Sequence, residues 1–240
     1  MAVEEGATLE YQPHIGETRQ YWRDMILGVN DGLVSMFLLV VAVVGGGLNN
    51  EQVLLTAMAG ALAGAVSMAA GEYLATKSQD EVFNAELELE QVHIQNFRDQ
   101  EMSQLREFFQ EMGVRPSDLE AVLSGFELND EALLNAMAAL EFGVVERERR
   151  SPYRAMAASG ILFLLGSLPS VLPFAIFDIN RTALVWATVL ALTGLFGVGV
   201  IKATVARTGR VRSGLENMVI AGFGGLAAWL LGNLLGNGLA

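Results

Sequence analysis

Three residues able to ligate a metal or carry a proton sit inside apolar stretches of this chain. Asp31 lies in Gly28-Val29-Asn30-Asp31-Gly32-Leu33-Val34. Met68 and Glu72 are i and i+4 neighbours, on a helical stripe that runs back through the small residues Gly64 and Gly60. A charged side chain at the middle of a bilayer costs at least about 2.5 kcal/mol on insertion scales, so such groups usually line a pathway or hold a partner. Carboxylate oxygens beside a softer thioether suit a borderline transition metal better than magnesium or calcium. The alternative is that Asp31 and Glu72 are buried hydrogen-bonders and that Met68 only packs, as most core methionines do.

A second set lies in the stretch from Ser78 to Pro152, which holds 17 of the 27 acidic residues. At 100° per residue, Glu86, Glu90, His93, Phe97, Glu101 and Gln104 fall in one stripe roughly 80° wide. Further on, Met137 and Glu141 are again i and i+4. Carboxylates and an imidazole repeated along one face can hold divalent cations between facing helices, although a solvated acidic face is the commoner source of such a pattern. Glu90-Gln91-Val92-His93 also has the Glu-x-x-His spacing of di-iron carboxylate bundles, which need two such units. The only other histidine is His14, expected at the surface of the N-terminal segment. An iron-oxidising centre within one chain is therefore not expected, and a second copy would have to come from a dimer partner.

The elements that position these groups follow from the hydropathy pattern. Five apolar blocks are long enough to cross a hydrocarbon core of roughly 30 Å, which takes about 20 helical residues. They lie near Met25–Leu48, Val53–Thr76, Tyr153–Phe177, Ala183–Ala203 and Leu215–Leu235. Counted at 1.5 Å per residue from the nearer span end, Asp31 is roughly 9 Å deep, Met68 about 12 Å and Glu72 about 6 Å. The three could thus share one level if the first two spans pack together, an approach that Gly60 and Gly64 would permit. No Gly or Pro occurs from Glu72 to Met112, which predicts one helix passing from the membrane into the polar segment, ended by Gly113 and Pro116. Ser117 and Asp118 can start a short second helix stopped by Gly125, and Asn129 or Asp130 can cap a third from Glu131 to about Gly143.

The predicted fold is an all-α membrane protein with five transmembrane helices and a three-helix cytosolic insert between helices two and three. Its parts are an N-terminal segment (1–22), helices one and two (23–77), the acidic insert (78–152) and helices three to five (153–240). The insert is small for an independent fold and is expected to need the membrane domain or a second subunit. Fourteen of the 15 Lys and Arg residues lie on one side of the predicted spans, Arg181 being the exception. By the positive-inside rule this puts the N-terminus and insert in the cytosol and the C-terminus outside it.

Several function classes find no support. Without cysteine there is no disulfide framework, thiolate site or redox thiol. No Gly-Lys-Ser or Gly-Lys-Thr phosphate loop occurs, so ATP is not the expected energy source. There is no Ser/His/Asp constellation, no resident cofactor is called for, and the basic residues mark topology instead of a nucleic-acid surface. The segment before the first span carries Glu4, Glu5 and Glu10 in place of a basic n-region, so no signal peptide or organelle-targeting extension is expected. That favours a prokaryotic plasma membrane.

Asn30-Asp31-Gly32-Leu33-Val34 and Ser67-Met68-Ala69-Ala70-Gly71-Glu72-Tyr73, the latter followed by Ser78-Gln79, resemble the two signature segments of the vacuolar iron transporter family. Pro169 and Pro173 in span three and Arg212-Ser213 before span five fit as well, and the similarity runs from about Arg23 to Gly236. The resemblance implies a proton-coupled exporter of Fe²⁺, often accepting Mn²⁺ and other divalent metals, that works as a homodimer with its path at the subunit interface. It implies that Asp31 and Met68 line that path and that Glu72 belongs to its cytosolic mouth. It also implies that the insert binds metal through Glu90, His93, Glu101, Gln104, Met137 and Glu141; Glu86 joins these candidates only through the acidic stripe. His93 and Gln104 stand where the family usually has glutamate, and Ala138 where it has methionine, so fewer or weaker metal sites are implied.

The function expected is export of divalent metal from the cytosol by proton antiport across a lipid bilayer. Two alternatives are a membrane-bound iron-binding or iron-oxidising protein in which the insert is the working part, and a structural membrane scaffold with an acidic docking domain.

Overall fold

The computed structural model describes residues 19–143 and 150–239; His14, Arg147 and Arg149 lie outside them. Among the described residues all regular structure is helical: α1 (Arg19–Gly45), α2 (Asn50–Asn96), α3 (Arg98–Glu111), α4 (Leu119–Leu123), α5 (Asp130–Glu141), α6 (Pro152–Ile176), α7 (Asn180–Ala206) and α8 (Arg210–Leu239). Five of these, α1, α2, α6, α7 and α8, are long and apolar enough to cross a membrane, which matches the five predicted spans. The chain divides into two compact units, Met1–Ala57 with Gly166–Ala240, and Met58–Leu165.

In the first unit α1, α7 and α8 pack on one another. Leu33 of α1, Leu195 and Val198 of α7 and Ala221 of α8 form one buried cluster, and Phe37, Val41 and Ala191 form another. Transmembrane helices gain no hydrophobic drive from pairing in lipid, so close backbone contact has to hold them together. At Gly232 an added Cβ would stand 1.9 Å from the carbonyl oxygen of Ala42, which places α8 directly against the backbone of α1. The turn between α1 and α2 is closed by a reciprocal cap: Asn49 Oδ1 accepts from the Gln52 backbone N–H and Gln52 Oε1 accepts from that of Asn49, both at 3.0 Å. Asn50 Nδ2 donates to the Phe174 carbonyl at 3.0 Å and Asn180 Nδ2 to the Leu48 carbonyl at 2.7 Å. These bonds tie the loop to the α6–α7 connection.

In the second unit the dominant element is α2, whose 47 residues make a rod about 70 Å long at 1.5 Å per residue. That is more than twice the roughly 30 Å hydrocarbon thickness, so a single crossing needs only part of its length. The small-residue stripe on α2 receives α6. An added Cβ at Gly64 would lie 2.3 Å from the Phe163 ring, so a side chain of α6 packs directly against this glycine.

The expectation of one helix from Glu72 to Met112 is corrected by the structure: the helix breaks at Phe97, with φ −133° and ψ 34°. No Gly or Pro causes this. The turn lets α3 fold back so that Ile94 of α2 and Leu105 of α3 enter a common core with Leu123, Leu133 and Met137, and tertiary burial outweighs the local preference for a straight helix. Arg98, the first residue after the corner, braces it by donating to the carbonyls of Glu127 at 3.0 Å and Phe126 at 3.1 Å and pairing with Asp130. The remaining boundaries follow the sequence. Gly113, at φ +90°, closes α3, and Asn129 Oδ1 caps α5 by accepting from Ala132 N–H at 3.0 Å.

The α1–α8 contact gives a direct test. Gly232→Ala has no way to place its methyl without moving backbone, and overpacking of this kind costs about 2 kcal/mol. The purified protein should melt several degrees lower in detergent. Gly222→Ala on the same helix, where an added Cβ meets nothing within 4 Å, should melt like the parent. Equal melting of the two variants would refute the backbone contact.

Candidate metal-binding site

The corner at Phe97 assembles the acidic site. Glu90 and His93 lie in the last turns of α2 and Glu101 in the first turn of α3. On one straight helix Glu90 and Glu101 would be about 16 Å apart. Instead, one ligand atom from each of Glu90, His93 and Glu101 falls within 4.8 Å of the others. His93 Nδ1 lies 3.8 Å from Glu90 Oε2 and 3.5 Å from Glu101 Oε1. The site is thus made by a fold-back, and the straight stripe read from the sequence is corrected in that respect.

The electrostatics of this cluster favour a positive charge. Glu90 is 3% exposed and Glu101 6%, and Glu90 Oε1 and Glu101 Oε2 are buried without a hydrogen-bond partner. Buried carboxylates without such partners are costly unless a proton or a cation compensates. Burial pushes the Glu90 carboxyl up from its ordinary 4.5 to about 7, with further upward pushes from the charges of Glu101 and Glu141 and from a hydrogen bond with Glu101. Two carboxylates and an imidazole are a donor set for a first-row divalent metal.

The other predicted ligands stand differently. Glu141 is exposed, yet its charge acts on Glu90. Gln104, one turn beyond Glu101, is half-buried, and Glu86, one turn before Glu90, is exposed. Met137 is completely buried in the apolar core with Ile94, Leu105, Leu123 and Leu133. Ala138 is buried beside it at 6% exposure.

The intramembrane groups are found in both units. In the first, Asp31 Oδ1 accepts a hydrogen bond from Ser35 Oγ at 2.9 Å, one turn along α1. The preceding Asn30 has its Oδ1 buried without a partner. In the second, Met68 is half-buried, and Glu72 Oε1 faces Arg150 at 3.6 Å. Sequence reasoning had used Arg150 only as a topology signal. A partner 78 positions away leaves no periodic trace, and the one available cue was that an intramembrane carboxylate needs a cation.

The sequence profile of the VIT family matches residues 22–233. Vacuolar iron transporter 1 of Arabidopsis thaliana is 30% identical over 216 residues, covering 89% of this chain and 85% of its own. Vacuolar iron transporter 1 of Tulipa gesneriana is 28% identical over 209 residues, 87% and 85% of the two chains. Vacuolar iron transporter 1 of Eucalyptus grandis is 30% identical over 210 residues, 86% and 83%.

The raised Glu90 pKa fixes the sign of a pH effect. Its folded value near 7 exceeds the unfolded 4.5, so the stability contributed by the neutral form is complete below about pH 4.5 and is lost as pH rises through 7. With metal chelated, the protein should melt lower at pH 8 than at pH 5.5, and added Co²⁺ should reverse this at pH 8. Glu90→Gln should flatten the pH dependence and weaken the Co²⁺ response, with Glu101, His93 and Glu141 still facing the site. Identical pH slopes for parent and variant would remove Glu90 from this role.

Proposed function

This chain belongs to the VIT family, and on that premise we propose that it is a divalent-metal transporter that carries Fe²⁺, and also Mn²⁺, out of the cytosol in exchange for protons. The family match across nearly the whole chain carries this reading, and its relatives are named vacuolar iron transporters. The basic residues concentrated on one side of the spans support a cytosolic acidic lobe, from which metal would leave the cytosol. The proposed assembly is a homodimer in a lipid bilayer, in a prokaryotic plasma membrane.

In the mechanism we infer, Glu90, His93 and Glu101, with Gln104 of α3 and Met137 and Glu141 of α5, capture metal at low concentration. Glu72 receives the ion at the mouth of the membrane path, and Asp31 and Met68 line that path. The carboxylates of Asp31 and Glu72 alternate between metal and proton, so each ion carried out is replaced by protons returning. An iron-oxidising reading is less favoured, since His93 is the one histidine among the described residues and the chain holds no second Glu-x-x-His.

Uptake of Fe²⁺, Mn²⁺, Co²⁺ and Zn²⁺ into proteoliposomes, with and without a pH gradient, tests the activity. Asp31→Asn keeps the shape but removes the compensating charge and should cut flux about tenfold or more, while Met68→Leu should lose less. Wild-type flux from Asp31→Asn would put the path elsewhere.

The capture role has a different signature. Replacing Glu90, Glu101 and Glu141 together by Gln scarcely alters helix propensity, and transport should survive with a raised apparent KM and a similar maximal rate. Unchanged kinetics together with unchanged Co²⁺ binding would return the cluster to a purely structural role.

A further inference from the structure

The deepest-set ion pair of the second unit joins Glu72 to a residue outside both sets of proposed ligands. Arg150 stands two positions before α6, and its guanidinium is 3.6 Å from Glu72 Oε1, with the two side chains only 9% and 18% exposed. The approach is fixed by neighbouring contacts between the same two helices. Tyr73 and Tyr153 hold their rings 5.4 Å apart, and an added Cβ at Gly160 would touch Ala69 at 3.2 Å and the Ala65 carbonyl at 3.3 Å. A guanidinium stays protonated at any physiological pH, so it can leave Glu72 only by moving. At 3.6 Å the guanidinium and the carboxylate form an ion pair, and a divalent cation that ligates the carboxylate directly can compete with it.

We propose that Arg150 is a positioning residue for transport, the resident counter-cation of Glu72 that an incoming divalent metal must displace and that returns when the metal moves on. The proposal rests on the reading of Glu72 as the mouth of the path and adds a competitor to it. A guanidinium in place keeps the carboxylate compensated between turnovers. It also sets a threshold: a divalent ion, with twice the charge and direct ligation by the carboxylate, displaces it, whereas a hydrated monovalent ion does not. When the metal departs, the returning guanidinium favours its release.

Flux measured in proteoliposomes with Co²⁺ for the full-length parent, Arg150→Gln, Arg150→Lys, Glu72→Gln and the Glu72→Gln/Arg150→Gln pair tests this. Loss of the competitor should lower the apparent KM of Arg150→Gln by about fivefold, the ratio that roughly 1 kcal/mol represents, and should lower Vmax as well because release slows. Arg150→Lys, which keeps the charge, should lie nearer the parent. In the Glu72→Gln background the Arg150 change should leave KM unmoved. Arg150→Met retains the apolar stem and carries the same expectation if Arg150→Gln does not reconstitute. A fall in Vmax with KM unchanged, or a KM shift that persists without Glu72, would overturn the counter-cation role while leaving Glu72 on the path. Parental KM and Vmax in Glu72→Gln would overturn both readings.

Discussion

A carboxylate taken out of water has to be given a proton, a hydrogen-bond donor or a cation, and the chemistry of this chain is organised by how each acid meets that need. The solutions differ in kind. Asp31 takes a hydroxyl donor from Ser35 one turn along its own helix. Glu72 takes a guanidinium carried on the segment before α6. Glu90 and Glu101 face one another and His93, and in that arrangement like charges compound the desolvation. Only in the last group do two buried carboxylates face one another, each with an oxygen that has no hydrogen-bond partner. It is therefore the group in which binding an external divalent cation relieves the most unfavourable electrostatics.

The fold-back at Phe97 is what creates that group, and its stability comes from apolar burial elsewhere. Ile94 lies one residue past His93 and Leu105 one turn past Glu101, and both are nearly or fully buried. The residues that close the core and those that close the acid cluster thus alternate along the same two helices. Arg98 then fastens the corner to the α4–α5 connection through two backbone carbonyls and Asp130. Met137 takes part in the core half of this arrangement. A thioether is soft enough to ligate and apolar enough to pack, and Met137 is completely buried with Ile94, Leu105, Leu123 and Leu133.

How much of this could be read from the sequence depended on the range of the interaction. The spans follow from hydropathy over about 20 residues, and the turn at Gly45–Asn50, the cap at Asn129 and the end of α3 at Gly113 follow from local chemistry. The family match at residues 22–233 agrees with the resemblance carried by the Asp31 and Met68–Glu72 segments. What was not legible was anything set by tertiary packing against local preference. The break at Phe97 has no Gly or Pro to announce it, so the 100° wheel correctly grouped Glu90, His93 and Glu101 but for a geometry that does not occur. The Glu72–Arg150 pair and the seat of Phe163 at Gly64 join helices about 80 to 100 positions apart in sequence, beyond any periodic signal.

One consequence of the long second helix links the two acidic regions. Glu72 and Glu90 are 18 residues apart on α2, which at 3.6 residues per turn is five full turns, so they lie on one face about 27 Å apart. That distance is far longer than any direct ligand exchange, yet the helix between is continuous and contains no proline. Along the intervening face Gln79 and Glu86 supply oxygen donors within about 40° of the line joining the two acids. In the proposed mechanism, capture at the corner and entry at Glu72 are then separate steps, joined by a field and a surface instead of a shared coordination sphere. A metal released from the corner would remain near an acidic helix and be concentrated there by attraction. In the proposed mechanism, loss of the corner site would remove that local concentration without touching Asp31, Met68 or Glu72, so its effect would belong to half-saturation, whereas changes at Asp31 would act on passage itself.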